Sequence, residues 1–186
     1  MIELKIENKV YEMPNSWEEV SIKKYIEIMN LEGEEGTRKL IKVISILSDI
    51  DLKTLYQVQL EDLNQFDMGW LGKEIENGIE KTIDIDGIKY GIVKDMKKLS
   101  LGEYVDLDFF VKDMDNNFHN IVAVLMRPVI QEEDGIYMIE KYDTETASIR
   151  ADIFFEKMNV KQLLNSSSFF LNSANGFLEN MKTFSV

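Results

Sequence analysis

Apolar and polar residues alternate with period two over Ile2–Ile6 and again over Val10–Met13, on either side of Glu7-Asn8-Lys9. This predicts a hairpin at about 2–13, which Pro14 closes. The period then lengthens. Ser16 and Glu19 have capping-box spacing, Ser21 is a second candidate cap, and Ile22, Tyr25, Ile26 and Met29 share one helical face. A helix is therefore predicted from residue 17 or 22 to about 30. The acidic stretch Gly33–Gly36 reads as a solvated turn, followed by an apolar helix over Leu40–Leu47 and a shorter one opened by Asp51. From Leu60 to Ile79 the apolar spacing stays near-helical but is interrupted by Gly69 and Gly72, so one broken helix is predicted. Thr82–Ile85 and Ile88–Val93 then flank Asp86-Gly87, a dipeptide suited to a type I′ turn, giving a second hairpin at about 82–93.

The second half reads as mostly helical. Ser100 and Glu103 repeat the capping-box spacing, and Leu101, Tyr104, Val105, Leu107, Phe109 and Val111 make a helix apolar on more than one face, which predicts burial. After a polar break at Asp113–Asn117, an apolar helix over Phe118–Met126 ends at Arg127-Pro128, because proline disfavours helical backbone in its predecessor. Glu132-Glu133-Asp134-Gly135 reads as a charged turn and Ile136–Tyr142 as an extended segment. A helix over Ala147–Met158 follows, preceded by Thr144 and Thr146, and Asn159 can cap a last one through Leu163, Leu164, Phe169 and Phe170 toward Met181. The predicted fold is α+β, mainly α-helical: a helical bundle-like core with two short β-hairpins. Residues 1–186 form one domain in this reading, with a hairpin-helix-hairpin part at 1–98 and a helical part at 99–186.

Charge narrows the partners. The chain of 186 residues carries 34 acidic and 21 basic residues, a net charge of −13. Direct nucleic-acid binding is not expected, because phosphate contact needs a basic stripe, and an anionic membrane surface is disfavoured on the same ground. No run approaches the ~20 apolar residues of a membrane span, and the opening residues lack the apolar stretch of a signal peptide. The expectation is a chain that folds in a cytosol. Zero cysteines exclude a disulfide scaffold, a thiolate nucleophile and a Cys-ligated metal, and the single histidine, His119, excludes multi-histidine centres.

The remaining candidate chemistry is thin. Asp113, Asp115 and Asn117 occupy the first odd positions of a calcium loop, but Phe118 stands where glycine is required and Val124 where a bidentate glutamate is required. Asp106 with Asp108, or Asp143 with Glu145, could pair for acid–base hydrolysis, although such pairs arise by chance among 34 acids. No catalytic, cofactor-binding or metal residues are predicted, and the chain reads as a non-enzyme. The pairs Phe109-Phe110, Phe154-Phe155 and Phe169-Phe170 exceed what a core of this size needs. Neighbours in one helix point ~100° apart, so one of each pair can enter the core while the other faces a neighbouring helix, as part of the core, or a partner. Phe110, Phe155, Phe170 and Phe177 are the interaction candidates, because hot spots concentrate in such residues.

Several segments taken in order carry a resemblance: Ser16-Trp17-Glu18-Glu19-Val20 after the hairpin, Leu99-Ser100-Leu101-Gly102-Glu103-Tyr104-Val105-Asp106-Leu107, His119-Asn120-Ile121 through Met126-Arg127-Pro128-Val129, Tyr142-Asp143 with Arg150-Ala151-Asp152, and Phe169-Phe170. In this pattern the chain resembles small tail-region proteins of tailed bacteriophages, including crAss-like phages, and loosely the baseplate-hub assembly proteins of contractile-tailed phages. The resemblance implies a non-enzymatic virion protein of the tail region, in one form packaged as ejectable cargo in the tail lumen. Its partners would be other tail or neck proteins, in multiple copies per virion, and its location the virion after assembly in the host cytoplasm. A tail assembly chaperone absent from the mature virion is the alternative, and a glycan or cell-wall hydrolase a third.

Overall fold

The computed structural model describes residues 1–6, 9–31, 33, 35–59, 62, 66–73, 78 and 80–166. The alternating start forms β1 (Ile2–Ile6) and β2 (Lys9–Met13), an antiparallel pair in which Ile2 faces Met13 and Ile6 faces Lys9. Of the two candidate caps, Ser21 starts the helix: Lys24 N donates to its Oγ at 3.3 Å, opening α1 (Ile22–Met29). Ser16 leads only into a 3₁₀ turn over Trp17–Glu19. Next come α2 (Gly36–Ser48) and α3 (Leu52–Leu55), the latter capped by Asp51 through Thr54 N. Of the helix predicted over 60–79, the described residues form a 3₁₀ turn at Gly69–Gly72; residues 60, 61, 63–65, 74–77 and 79 lie outside them.

The Asp86-Gly87 turn joins β3 (Thr82–Ile85) to β4 (Ile88–Ile92), with φ of 50° and 78° as a type I′ turn requires. Then follow α4 (Leu101–Phe110), α5 (Met114–Leu125), β5 (Met126–Glu133), β6 (Ile136–Ile139) and α6 (Thr144–Lys157). The Ser100–Glu103 capping box forms in full, and Asp143 caps α6, whose first residue, Thr144, lies three residues before the predicted start. Asn159 exchanges two bonds with Gln162, and helical residues 160–166 follow; the predicted continuation toward Met181 lies outside the described residues.

Both predicted hairpins form, but the helical bundle-like core does not. The chain folds as a mixed α+β structure with a two-stranded sheet and a four-stranded antiparallel sheet, order β3-β4-β5-β6. Helix α5 does stop before Pro128, but the chain runs straight into strand β5. A proline argues against a central strand because it cannot donate to the ladder. Here it sits where β5 changes partners: Met126–Pro128 pair with β4 and Val129–Glu133 with β6, while the Pro128 carbonyl accepts from Glu140 N at 3.0 Å. The predicted charged turn also shrinks to its last two residues. Glu132 and Glu133 lie in β5, and Asp134-Gly135, with φ of 49° and 75°, is a second Asp-Gly turn.

Two apolar clusters result. One gathers Leu4, Ile6, Met13, Val43, Ile44, Leu47, Ile50 and Leu55 around Trp70, which meets Trp17 edge to face at 5.2 Å. The other packs the inner residues of β3, β4 and α5 against Phe154, with Tyr90 edge-on to Phe154 at 5.0 Å. They are stitched by the segment after α6: Ile22 N donates to Met158 O and Val160 N to Val20 O, each at 2.9 Å. Helix α5 ends inside the second cluster, so its last carbonyls need internal donors. Val93 N donates to Leu125 O at 2.8 Å, and the buried Arg150 guanidinium donates twice to Ala123 O, at 2.8 and 2.9 Å.

Candidate functional site

Helix α4 is apolar around most of its circumference, so its sequence carries no preferred face. Burial was the expectation for it, and the structure corrects this. Glu103 and Leu107 are buried, whereas Leu101, Val105 and Phe109 are 77%, 53% and 67% exposed. These three stand four residues apart and form one ridge, ~12 Å long at 1.5 Å per residue. An aromatic and two aliphatics left in water along a single helix face cost burial energy that an isolated domain would recover by polar substitution.

The ridge borders a cavity of about 200 Å³ between α4, α5 and the start of α6, lined among others by Asp106, Phe110, Asn120, Val124 and Tyr142. Ridge and cavity are continuous, because the exposed Phe109 ring packs edge to face on the Phe110 wall at 5.5 Å. Tyr142 lies against Gly102 and donates its hydroxyl to Asp106 Oδ2. Burial, reinforced by that hydrogen bond, holds the Tyr142 phenol well above its ordinary value, so it stays a donor. Behind it, Arg127 Nη2 meets Glu103 Oε1 at 2.8 Å, both side chains over nine-tenths buried, while Glu103 Oε2 accepts from Ser100 N and Oγ at 2.6 Å. Arg127 Nε is buried without an acceptor among the described residues. The N-terminal turn of α4 is thus pinned from behind by a capping box, an ion pair and a tyrosine, which presents its outer face as a rigid ridge.

The predicted interaction residues separate. Phe110 lines the cavity and packs partly on the core; Phe155 is half-buried against the His119 ring at 4.8 Å; Phe170 and Phe177 lie outside the described residues. The most exposed phenylalanine among the described residues is Phe109, partner of Phe110 in the pair. Its signal was the series Leu101, Val105, Phe109 at intervals of four on a helix whose opposite face was already apolar. His119 Nδ1 is buried without a hydrogen-bond partner among the described residues, and burial lowers its pKa. Three of the four carboxylates weighed for hydrolysis carry structural tasks: Asp106 holds Tyr142, Asp108 pairs with Lys112 at 3.0 Å, and Asp143 caps α6; Glu145 is exposed in the first turn of α6. Asp113, the first position of the incomplete calcium-loop pattern, accepts from Asn116 Nδ2 at the head of α5. Among the described residues no helix is long and apolar enough to cross a membrane. Compared with protein families, curated proteins and solved structures, the chain matches none of them.

Proposed function

We propose that this chain is a non-enzymatic contact protein of the tail region of a tailed bacteriophage, held in the virion and in one form carried as cargo in the tail lumen. The observation that carries the contact reading is the Leu101–Val105–Phe109 ridge, exposed on a helix whose other face is anchored by buried polar bonds. Interfaces are built around such aromatic and aliphatic anchors, surrounded by groups that exclude water. The phage assignment rests on the sequence resemblance, whose segments include all of the ridge up to Leu107 and the Arg127 and Tyr142 behind it. Neighbouring tail or neck proteins are the partners of this reading.

Mass spectrometry of purified particles tests it, with the protein expected at a fixed ratio to the tail subunits. Absence from particles, together with co-purification with unassembled tail proteins, would transfer the ridge to the role of an assembly chaperone. Absence from both would end the phage reading. A clearing zone from the pure protein on a cell-wall zymogram would overturn its non-enzymatic part.

A further inference from the structure

The ridge and its cavity sit in a strongly anionic stretch. Between residues 101 and 157 the chain carries thirteen acidic and five basic residues. Among those five, Arg127 and Arg150 are buried, and Lys112 and Lys157 are engaged by Asp108 and Asp86 at 3.0 and 3.1 Å; on the acidic side Glu103, Asp108, Glu132 and Glu156 are engaged by Arg127, Lys112, Lys89 and Lys23, which leaves nine of the thirteen acids outside these pairs. Asp106 and Asp108 flank Val105 and Phe109 on α4 itself, and Asp143 and Glu145 border Thr144, another residue of the cavity wall. An apolar partner bearing acids would be repelled here, and a neutral one would leave this field uncompensated.

Resting on the contact reading above, we propose that the α4 ridge and the adjoining cavity bind a cationic amphipathic helix of a partner protein. The backbone of α4 is committed to its own hydrogen bonds, so recognition falls to side chains and strand addition at this face is ruled out. A ridge with a period of four residues meets the groove of a second helix, and a partner of three or more turns covers its length. The cavity is large enough for one big side chain, since an apolar cavity of ~150 Å³ accommodates benzene. A leucine or phenylalanine of the partner would enter between Phe110, Val124 and Ala147, with lysines or arginines beside it facing Asp106 of the cavity wall and Glu145 next to Thr144.

The test uses the full chain and a fluorescein-labelled 14-residue Leu/Lys peptide with leucines at i, i+3, i+4 and i+7, followed by fluorescence anisotropy. Saturable binding that weakens in higher salt is expected, with affinity at least tenfold lower for a scrambled peptide of the same composition, for a Leu/Glu counterpart, and for the Val105→Ser/Phe109→Ser variant. A circular dichroism melt checks that this variant remains folded. Equal binding of ordered and scrambled peptides, or of wild type and folded variant, overturns the proposal in favour of unspecific charge attraction. So does self-association of the wild-type chain in sedimentation that the variant abolishes, because the occupant is then a second copy. If the peptide fails while the variant is lost from particles, the contact reading stands and only the cationic helix falls. If peptide binding holds but the protein is absent both from particles and from complexes with unassembled tail proteins, the phage assignment falls instead.

Discussion

The cluster around β1, β2, α2 and α3 and the cluster beneath the four-stranded sheet differ in the polar groups they take out of water. In the first, α2 buries the polar side chain of Ser48, whose hydroxyl turns back on the Ile44 carbonyl at 2.7 Å. The second takes Glu103, Arg127 and Arg150 out of water and leaves Leu101, Val105 and Phe109 in it. Moving charges inward and phenylalanine outward is unfavourable for a domain that acts alone. Such local violations concentrate where a surface has a task, because the fold must hold that surface in place at a cost in stability.

The largest expected effect comes from the buried charges. Glu103→Ala should destabilise the chain by about 3–5 kcal/mol in urea denaturation, since it strands Arg127 in a dry site and dissolves the cap of α4. Replacing both partners with Met should recover most of that loss, and no recovery would mean that packing, not the ion pair, supports this region. In the apolar cluster, Leu47→Ala should cost ~2–5 kcal/mol by leaving a cavity. No partner substitution there should restore stability in the manner of the charge pair.

Gly91→Ala tests the sheet. A Cβ at Gly91 would lie 2.5 Å from Tyr137 Cε2, and Tyr137 cannot swing away freely because its hydroxyl donates to Ile92 O at 2.9 Å and its ring lies 4.1 Å beneath Lys94 Nζ. A loss of about 1–3 kcal/mol is expected, with the β4–β5 amides exchanging faster. A smaller pH effect belongs to the second cluster, where His119 is the chain's one histidine. Burial keeps its folded pKa below the ordinary 6.5, so below that pH the unfolded chain binds a proton that the folded one resists. Stability is fully present above pH 6.5 and falls as pH drops through the depressed folded value; His119→Gln should flatten this part of the profile of melting temperature against pH. The smallest change is expected from Phe109→Ser, within ~0.5 kcal/mol in the free chain because the ring is exposed. A large loss there would place Phe109 in the core's cooperative unit and break the contrast between the clusters.

Much of the second half was legible only in pieces. The same Asp-Gly signal that marks β3–β4 also marks β5–β6, but the surrounding acids made Glu132–Gly135 read as a turn four residues long. Pro128 hid β5, because its tolerance depends on the strand changing neighbours at that residue. Of the cavity wall, Phe110 was singled out in the sequence as an interaction candidate, whereas Asp106, Asn120 and Tyr142 come from α4, α5 and the connection before α6, which no local pattern joins.

What the sequence determines by itself is local: the caps at Ser21, Asp51 and Ser100, the Asp86-Gly87 turn and the alternation of β1 and β2. Each depends on backbone preferences and side-chain spacing within a few residues. Tertiary structure decided the rest. A helix apolar all round has no preferred phase, so the face of α4 that would be buried was set by where α5 and Arg127 came to lie. The bonds that close the second cluster, Glu103 to Arg127 and Arg150 to the Ala123 carbonyl, join residues whose nearness exists only after the chain has folded.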